Sequence, residues 1–169
     1  MKQSSHAAVS CIRSRARQLG IDPEFHKNRD IHIHFPEGAV PKDGPSAGVA
    51  ITTAVVSALT ERRVRSDVAM TGEVTLRGRV LAIGGLKEKT MAAKRSGIRT
   101  VILPKDNQRD LTEIDSVVRE ALRFVAAENI DTVLSEALCL PEPKAERSDG
   151  IITAFLTPDP ASPDAALRQ

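Results

Sequence analysis

From Gly44 to Thr60 the chain runs for 17 residues without a charge, GPSAGVAITTAVVSALT, bounded by Asp43 and Glu61. The run is marginal in length for a bilayer span, which takes about 20 predominantly apolar residues, and it is rich in Ala, Thr and Ser rather than Leu. It lies mid-chain and opens on a turn-forming Gly-Pro pair. Residues 50–61, AITTAVVSALTE, are apolar nearly all round, the pattern of a helix enclosed by other elements. The rest of the chain must supply those elements. At 169 residues it has enough for one domain with a single core.

The material for that core is aliphatic. With four Phe, no Trp and no Tyr, the interior is built from Val, Ile, Leu and Ala. The same lack removes stacking platforms for single-stranded nucleic acid and aromatic cages for cations. Lys and Arg number 24 against 22 Asp and Glu, a net charge of +2 that is too small to mark binding to nucleic acid or an anionic membrane. The first twenty residues contain no hydrophobic signal region. Cys11 and Cys139 stand singly, without CxxC or His spacing, which argues against zinc or a disulfide framework. The expectation is a cytoplasmic chain with neither membrane nor nucleic acid as partner.

Periodicity then divides the chain. Val9, Ile12, Ala16 and Leu19 recur at helical spacing before Gly20, which predicts a helix over 3–19. Ile31, Ile33 and Phe35 alternate with His32 and His34, a strand pattern. VAMTGEVTLRGRVLAI reads as two strands joined at Arg77-Gly78, LKEKTMAAKRSG as a helix ended by Gly97, and TVILP as a buried strand. Residues 111–121 and 130–139 are weaker helical stretches, with a short strand over 123–126 between them. Helices and strands interleave, so the fold class is α+β (mixed α/β), a mixed β-sheet packed with helices. Residues 1–140 form the domain. Residues 141–169 hold five of the ten prolines and read as a flexible Pro-rich tail.

Two side chains stand out chemically. Ser46, in PKDGPSAG, precedes the uncharged helix, so its hydroxyl sits near the positive end of that helix among backbone N–H groups able to hold an oxyanion. Ser is equally a common helix cap, and both readings stand. In GGLKEKTMAAK, at about 100° per residue from Leu86, Lys87, Glu88, Lys94 and Arg95 fall between about 80° and 200°. Lys89 falls at about 300°, the one charged residue on the apolar face. A lysine desolvated there loses its proton more readily and becomes a base for a serine hydroxyl. Alternatively its stem packs while the ammonium reaches solvent, or it pairs with a buried acid. A serine at a helix start with a buried lysine is a known nucleophile and base arrangement.

PKDGPSAG followed by TGEVTLRGRVLAIGGLKEK resembles the proteolytic domain of the ATP-dependent Lon protease. The similarity is dense from MKQSSHAAVSCIRSRARQLGI through RDIHIHFPEG to TVILPKDNQRDL and continues weakly to Leu140. It implies a serine endopeptidase in which Ser46 is the nucleophile and Lys89 its dyad partner. It further implies that Thr71 of MTGE hydrogen-bonds the lysine, that Asp43 is the loop acid before the serine, and that His32 and His34 are the family's strand histidines. Gly44, Pro45 and Ala47 flank the nucleophile as its oxyanion loop. Read from the residues alone, Thr71 is equally an ordinary strand Thr, Asp43 a turn residue, and the histidines a solvated strand surface lacking a third ligand for a metal.

The family works as a hexameric ring in which an ATPase feeds unfolded polypeptide to the chamber. The resemblance therefore implies a homo-oligomer, unfolded protein as substrate, and an ATPase module in cis or in trans. No G-x-x-x-x-G-K-[ST] motif occurs, and Gly38 to Gly44 has the wrong spacing and no following Lys. The chain is thus expected to hold no cofactor itself, ATP and magnesium acting on the ATPase module. Family proteolytic domains carry further strands and a linker before the helix that opens this sequence, so Met1 is expected to fall inside the domain. Two other functions compete with proteolysis. One is an inactive module for interaction or oligomerisation, and the other a phosphate-binding loop at Gly-Pro-Ser-Ala-Gly. A neutral amine at Lys89 contributes nothing to an anion, which tells against the last.

Overall fold

The computed structural model describes residues 2–34 and 44–141. Helices α1 (Lys2–Arg15), α2 (Phe25–Asn28) and α3 (Gly48–Thr60) precede strands β1 (Val68–Met70), β2 (Glu73–Val74) and β3 (Val80–Leu81). Then come α4 (Leu86–Arg95), β4 (Thr100–Pro104), a 3-10 helix (Lys105–Glu113), α5 (Ser116–Ala121), β5 (Arg123–Ala127) and α6 (Ile130–Ala137). The mixed α+β class expected from the sequence is the one observed. The proline-rich tail lies outside the described residues from 142 onward.

The centre of the molecule is β4. It pairs in parallel with β1, Met70 opposite Ile102, and with β5, Ile102 opposite Val125. All five residues of TVILP are buried because the sheet is covered on both faces. Alternation along the strand splits them. Ile102 packs with α1, α3 and α6 residues such as Ile12, Val49, Val56 and Val133, whereas Val101 and Leu103 pack with Leu86, Ala93, Ile114 and Val118 on the opposite face. The result is three layers, two helical and one of sheet. α3 is covered by α1, α6 and β2, and Thr52 and Thr53 bury their hydroxyls by donating to the Gly48 and Val49 carbonyls, but the enclosure expected of an uncharged run is incomplete, since Ala54 and Ala58 are exposed.

Several boundaries differ from the sequence reading. The first helix ends at Arg15, not 19: Gly20, at φ +70°, turns the chain so that the Ile21 N–H donates to the Ala16 carbonyl, closing the end. Residues 31–34 keep the expected alternation, the isoleucines half-buried and the histidines exposed, yet they lie outside any helix or strand. Alternation reports one-sided burial, whereas a strand also needs a pairing partner. Phe35 lies outside the described residues. The stretch read as one helix over 111–121 is broken at Asp115, whose carboxylate accepts the Val117 N–H and starts α5 afresh. Of the two strands read over 68–83, the first is broken at Thr71-Gly72 into β1 and β2, which lie in different sheets, while the β2–β3 hairpin turns at Gly78, φ +83°, where it was expected, and Gly97, φ +73°, ends α4.

Candidate active site

The first turn of α3 is fastened to the crossing between β1 and β2. The Gly72 N–H donates to the Ser46 carbonyl at 2.9 Å, and the Val49 N–H donates to the Gly72 carbonyl at 3.1 Å. Thr71, buried, adds its hydroxyl to the same Ser46 carbonyl at 3.4 Å, while its own N–H donates to Ile102 of β4. The approach requires glycine. A Cβ at Gly72 would lie 2.8 Å from Val80 Cγ1, and one at Gly48 would lie 2.8 Å from the Val74 nitrogen.

This fastening decides how the serine is presented. Ala47, not Ser46, occupies the cap position of α3, and it makes no side-chain capping bond. The capping reading of Ser46 is therefore not the one observed, and Ser46 Oγ takes no partner among the described residues. The supply of free N–H groups is also smaller than expected, because Gly48 N–H donates to the Pro45 carbonyl and Val49 N–H to Gly72. With the Ser46 carbonyl held from the Thr71–Gly72 side, the planar trans peptide turns the Ala47 N–H the opposite way. Among the described residues that N–H has no acceptor.

Ser46 and Lys89 line one cleft of about 390 Å³, together with Gly44, Pro45, Ala82, Ile83 and Gly84. The glycine at 44 has φ +118°, a conformation that favours glycine. Lys89 projects from the first turn of α4. It is exposed, and its Nζ donates to the Gly84 carbonyl at 3.2 Å. The desolvated apolar-face position read from the helical wheel is corrected by this. The buried stripe of α4 is Leu86, Thr90 and Ala93, centred near 10° on the same wheel, and Lys89 stands on its edge beside two glycines that have no side chains to cover it. Thr71, matched by resemblance to a residue that bonds the lysine, is found bonding the Ser46 carbonyl instead.

The remaining candidates are placed as follows. His32 and His34 are exposed on the rim of a separate apolar groove of about 510 Å³, between residues 29–34 and the Ala47, Ala50, Ala54 and Ala58 side of α3. No group of three potential metal ligands occurs among the described residues. Asp43 lies outside them. Sequence reasoning missed the close backbone approach at Gly72, the Gly84 carbonyl that accepts from Lys89, and Asn107, whose carboxamide bonds the Ile83 backbone. Gly72 carried a signal, since a glycine inside a strand pattern marks close backbone approach.

The model of the Lon protease (S16) C-terminal proteolytic domain matches residues 1–140. The chain belongs to that family. Among its relatives, the Lon protease of Brevibacillus choshinensis is 63% identical over 138 residues, covering 82% of this chain and 18% of that protein. Lon protease 1 of Myxococcus xanthus is 56% identical over 170 residues, covering 98% of this chain and 21% of that protein. Lon protease 1 of Bacillus subtilis is 59% identical over 138 residues, 82% of this chain and 18% of its own length. The chain thus spans about a fifth of the Lon proteases it matches, and by family it is a serine-peptidase domain. No helix among the described residues is long and apolar enough to cross a membrane.

Proposed function

We propose that this Lon proteolytic domain hydrolyses peptide bonds of unfolded or damaged polypeptides through Ser46 and Lys89. The observation that carries the reading is the shared cleft, lined by a hydroxyl without a partner among the described residues and by a lysine amine from the first turn of α4. Neutral Lys89 takes the Ser46 proton as Oγ bonds to the scissile carbonyl carbon. The carbon–nitrogen bond then breaks, the proton passes from Lys89 to the departing amine, and water hydrolyses the acyl-serine by the same base. The Ala47 N–H is the donor left to hold the oxyanion, in keeping with its orientation away from Gly72.

The wider setting belongs to the same reading: a cytoplasmic homo-hexameric ring in protein quality control, with ATP and magnesium bound by an ATPase module in cis or in trans. The residues of this chain supply no phosphate loop with a following lysine. The exposure of Lys89 favours the alternative of an inactive module, since the desolvation expected to make it a base is not found. A serine-reactive peptidyl fluorophosphonate separates the two. Mass labelling at Ser46 between pH 7 and 9, rising with pH and lost in Ser46→Ala, is the outcome expected of the enzyme. An unlabelled chain across that range sinks the proteolytic reading.

A further inference from the structure

Asn107 is a polar side chain that is only 3% exposed, set in the 3-10 helix after β4 and given no part in the dyad. Its carboxamide makes a two-point pair with a single residue. Oδ1 accepts the Ile83 N–H at 3.0 Å and Nδ2 donates to the Ile83 carbonyl at 2.9 Å. The orientation is chemically determined, because a backbone N–H can only donate and a carbonyl can only accept. Nδ2 also donates to Asp110 Oδ2 at 2.6 Å, which locks the amide from its own helix.

The residue so held lines the cleft that Ser46 and Lys89 also line. Ala82 to Gly85 join β3 to α4 outside any helix or strand, and two of the four are glycines. A segment of that kind takes its position from external ties. Asn107 pairs Ile83 as a neighbouring strand would. The next carbonyl along, Gly84, is the acceptor of Lys89 Nζ.

We propose that Asn107 is a positioning residue of the peptidase site: by pairing both backbone groups of Ile83 it fixes the wall whose next carbonyl holds the Lys89 amine in the cleft with Ser46. The inference rests on the Ser46 and Lys89 reading above. Releasing the wall leaves the Thr71 and Gly72 ties to Ser46 intact and frees the acceptor of the Lys89 amine. The loss therefore falls on the reaction step and not on probe binding. Displacements of about 1 Å at a catalytic group cost on the order of 10²-fold in rate.

The test is the labelling of the full chain by the peptidyl fluorophosphonate, resolved into a maximal rate and a half-saturating concentration. Asn107→Ala is expected to lower the maximal rate by about 10-fold to 100-fold while the half-saturating concentration stays within about twofold. Asn107→Asp keeps the acceptor, loses the donor and faces Asp110, and is expected to lose rate in the same way. Val133→Ala, a cavity in the other core layer, controls for lost stability and should label at the wild-type rate after a comparable fall in Tm. Equal labelling of wild type and either Asn107 variant overturns the inference while leaving the dyad standing. A loss that Val133→Ala reproduces also overturns it. Wild-type chain unlabelled at Ser46 overturns the underlying reading as well. Independently of any variant, the Ile83 amide of the wild type should exchange with solvent more slowly than that of Gly84, and equal exchange counts against the clamp.

Discussion

The Nζ of Lys89 donates to the carbonyl of Gly84, 3.2 Å away, and so stays in the cleft that Ser46 lines although its side chain is exposed. That tether makes position and proton affinity separate requirements at this site. Lys89→Arg keeps the positive charge and a hydrogen-bond donor, but a guanidinium does not give up its proton. Ser46 labelling should fall at least 10²-fold in this variant, within the span typical of lost general-base catalysis. Tm should move by no more than a couple of degrees, because the residue is on the surface. Retained labelling in Lys89→Arg would remove the lysine from the base role.

A second expectation concerns Gly48, at the start of α3. Helix propensity alone makes Gly→Ala a gain of up to about 1 kcal/mol. Here the added methyl meets the Val74 nitrogen at 2.8 Å, and that atom is backbone and cannot rotate away. Gly48→Ala should therefore lose about 1–3 kcal/mol, as overpacked sites do. Urea unfolding measures it; a gain would mean that α3 is seated more loosely on β2 than the contact implies.

A third follows from Asp67, which precedes β1. The Arg65 guanidinium donates to both carboxylate oxygens at 3.1 and 2.9 Å and holds this carboxyl below the usual carboxylate range. A depressed folded-state value means stability that is fully present above the unfolded-state value and lost as pH falls through the folded one. Asp67→Asn should be less stable than wild type at pH 7. The gap in Tm should close as pH drops below about 4. A gap that persists undiminished into strong acid would assign the loss to packing and not to charge.

The two thiols supply a fourth. Cys11 is fully buried in the face of α1 that packs toward α3, and that burial pushes its thiol up, against the lowering influence of Arg15. Cys139 is half-buried after α6. With a chromogenic disulfide reagent, native chain should release about one equivalent quickly, from Cys139, and the second only on unfolding, since attack requires an accessible thiolate. Two rapid equivalents would mean that α1 opens readily.

Much of this molecule was legible before its coordinates. The uncharged helix, TVILP as a doubly covered strand, the hairpin turn at Gly78 and the stop at Gly97 each follow from patterns local to a few residues. What failed was of two kinds. The 31–34 segment shows a strand's alternation without a strand's partner, and pairing is a property of a distant segment that no local pattern records. Lys89 was placed on the apolar face of α4 by a wheel that is right about angle, but burial depends on what lies over that face, and Gly84 and Gly85 lay nothing over it. Ser46 and Lys89 themselves could be picked out by residue type and position. Gly72 carried the mark of a glycine inside a strand pattern, whereas Asn107 aims its carboxamide at the backbone of a distant segment, which no local pattern records.

The topology around β4 also bears on when the cleft comes into being. Both pairings of this strand are parallel, and its partners are separated from it in sequence by α4 on one side and α5 on the other. Parallel pairs need such crossovers and are slow to form. Ser46 is held by Thr71 and Gly72, Thr71 hangs from Ile102, and the wall beside Lys89 hangs from Asn107 just past β4. Until the central strand is seated, the hydroxyl and the amine belong to separate stretches of chain. A newly made or partly unfolded copy therefore keeps Ser46 and Lys89 apart, and the cleft exists only once the fold is complete.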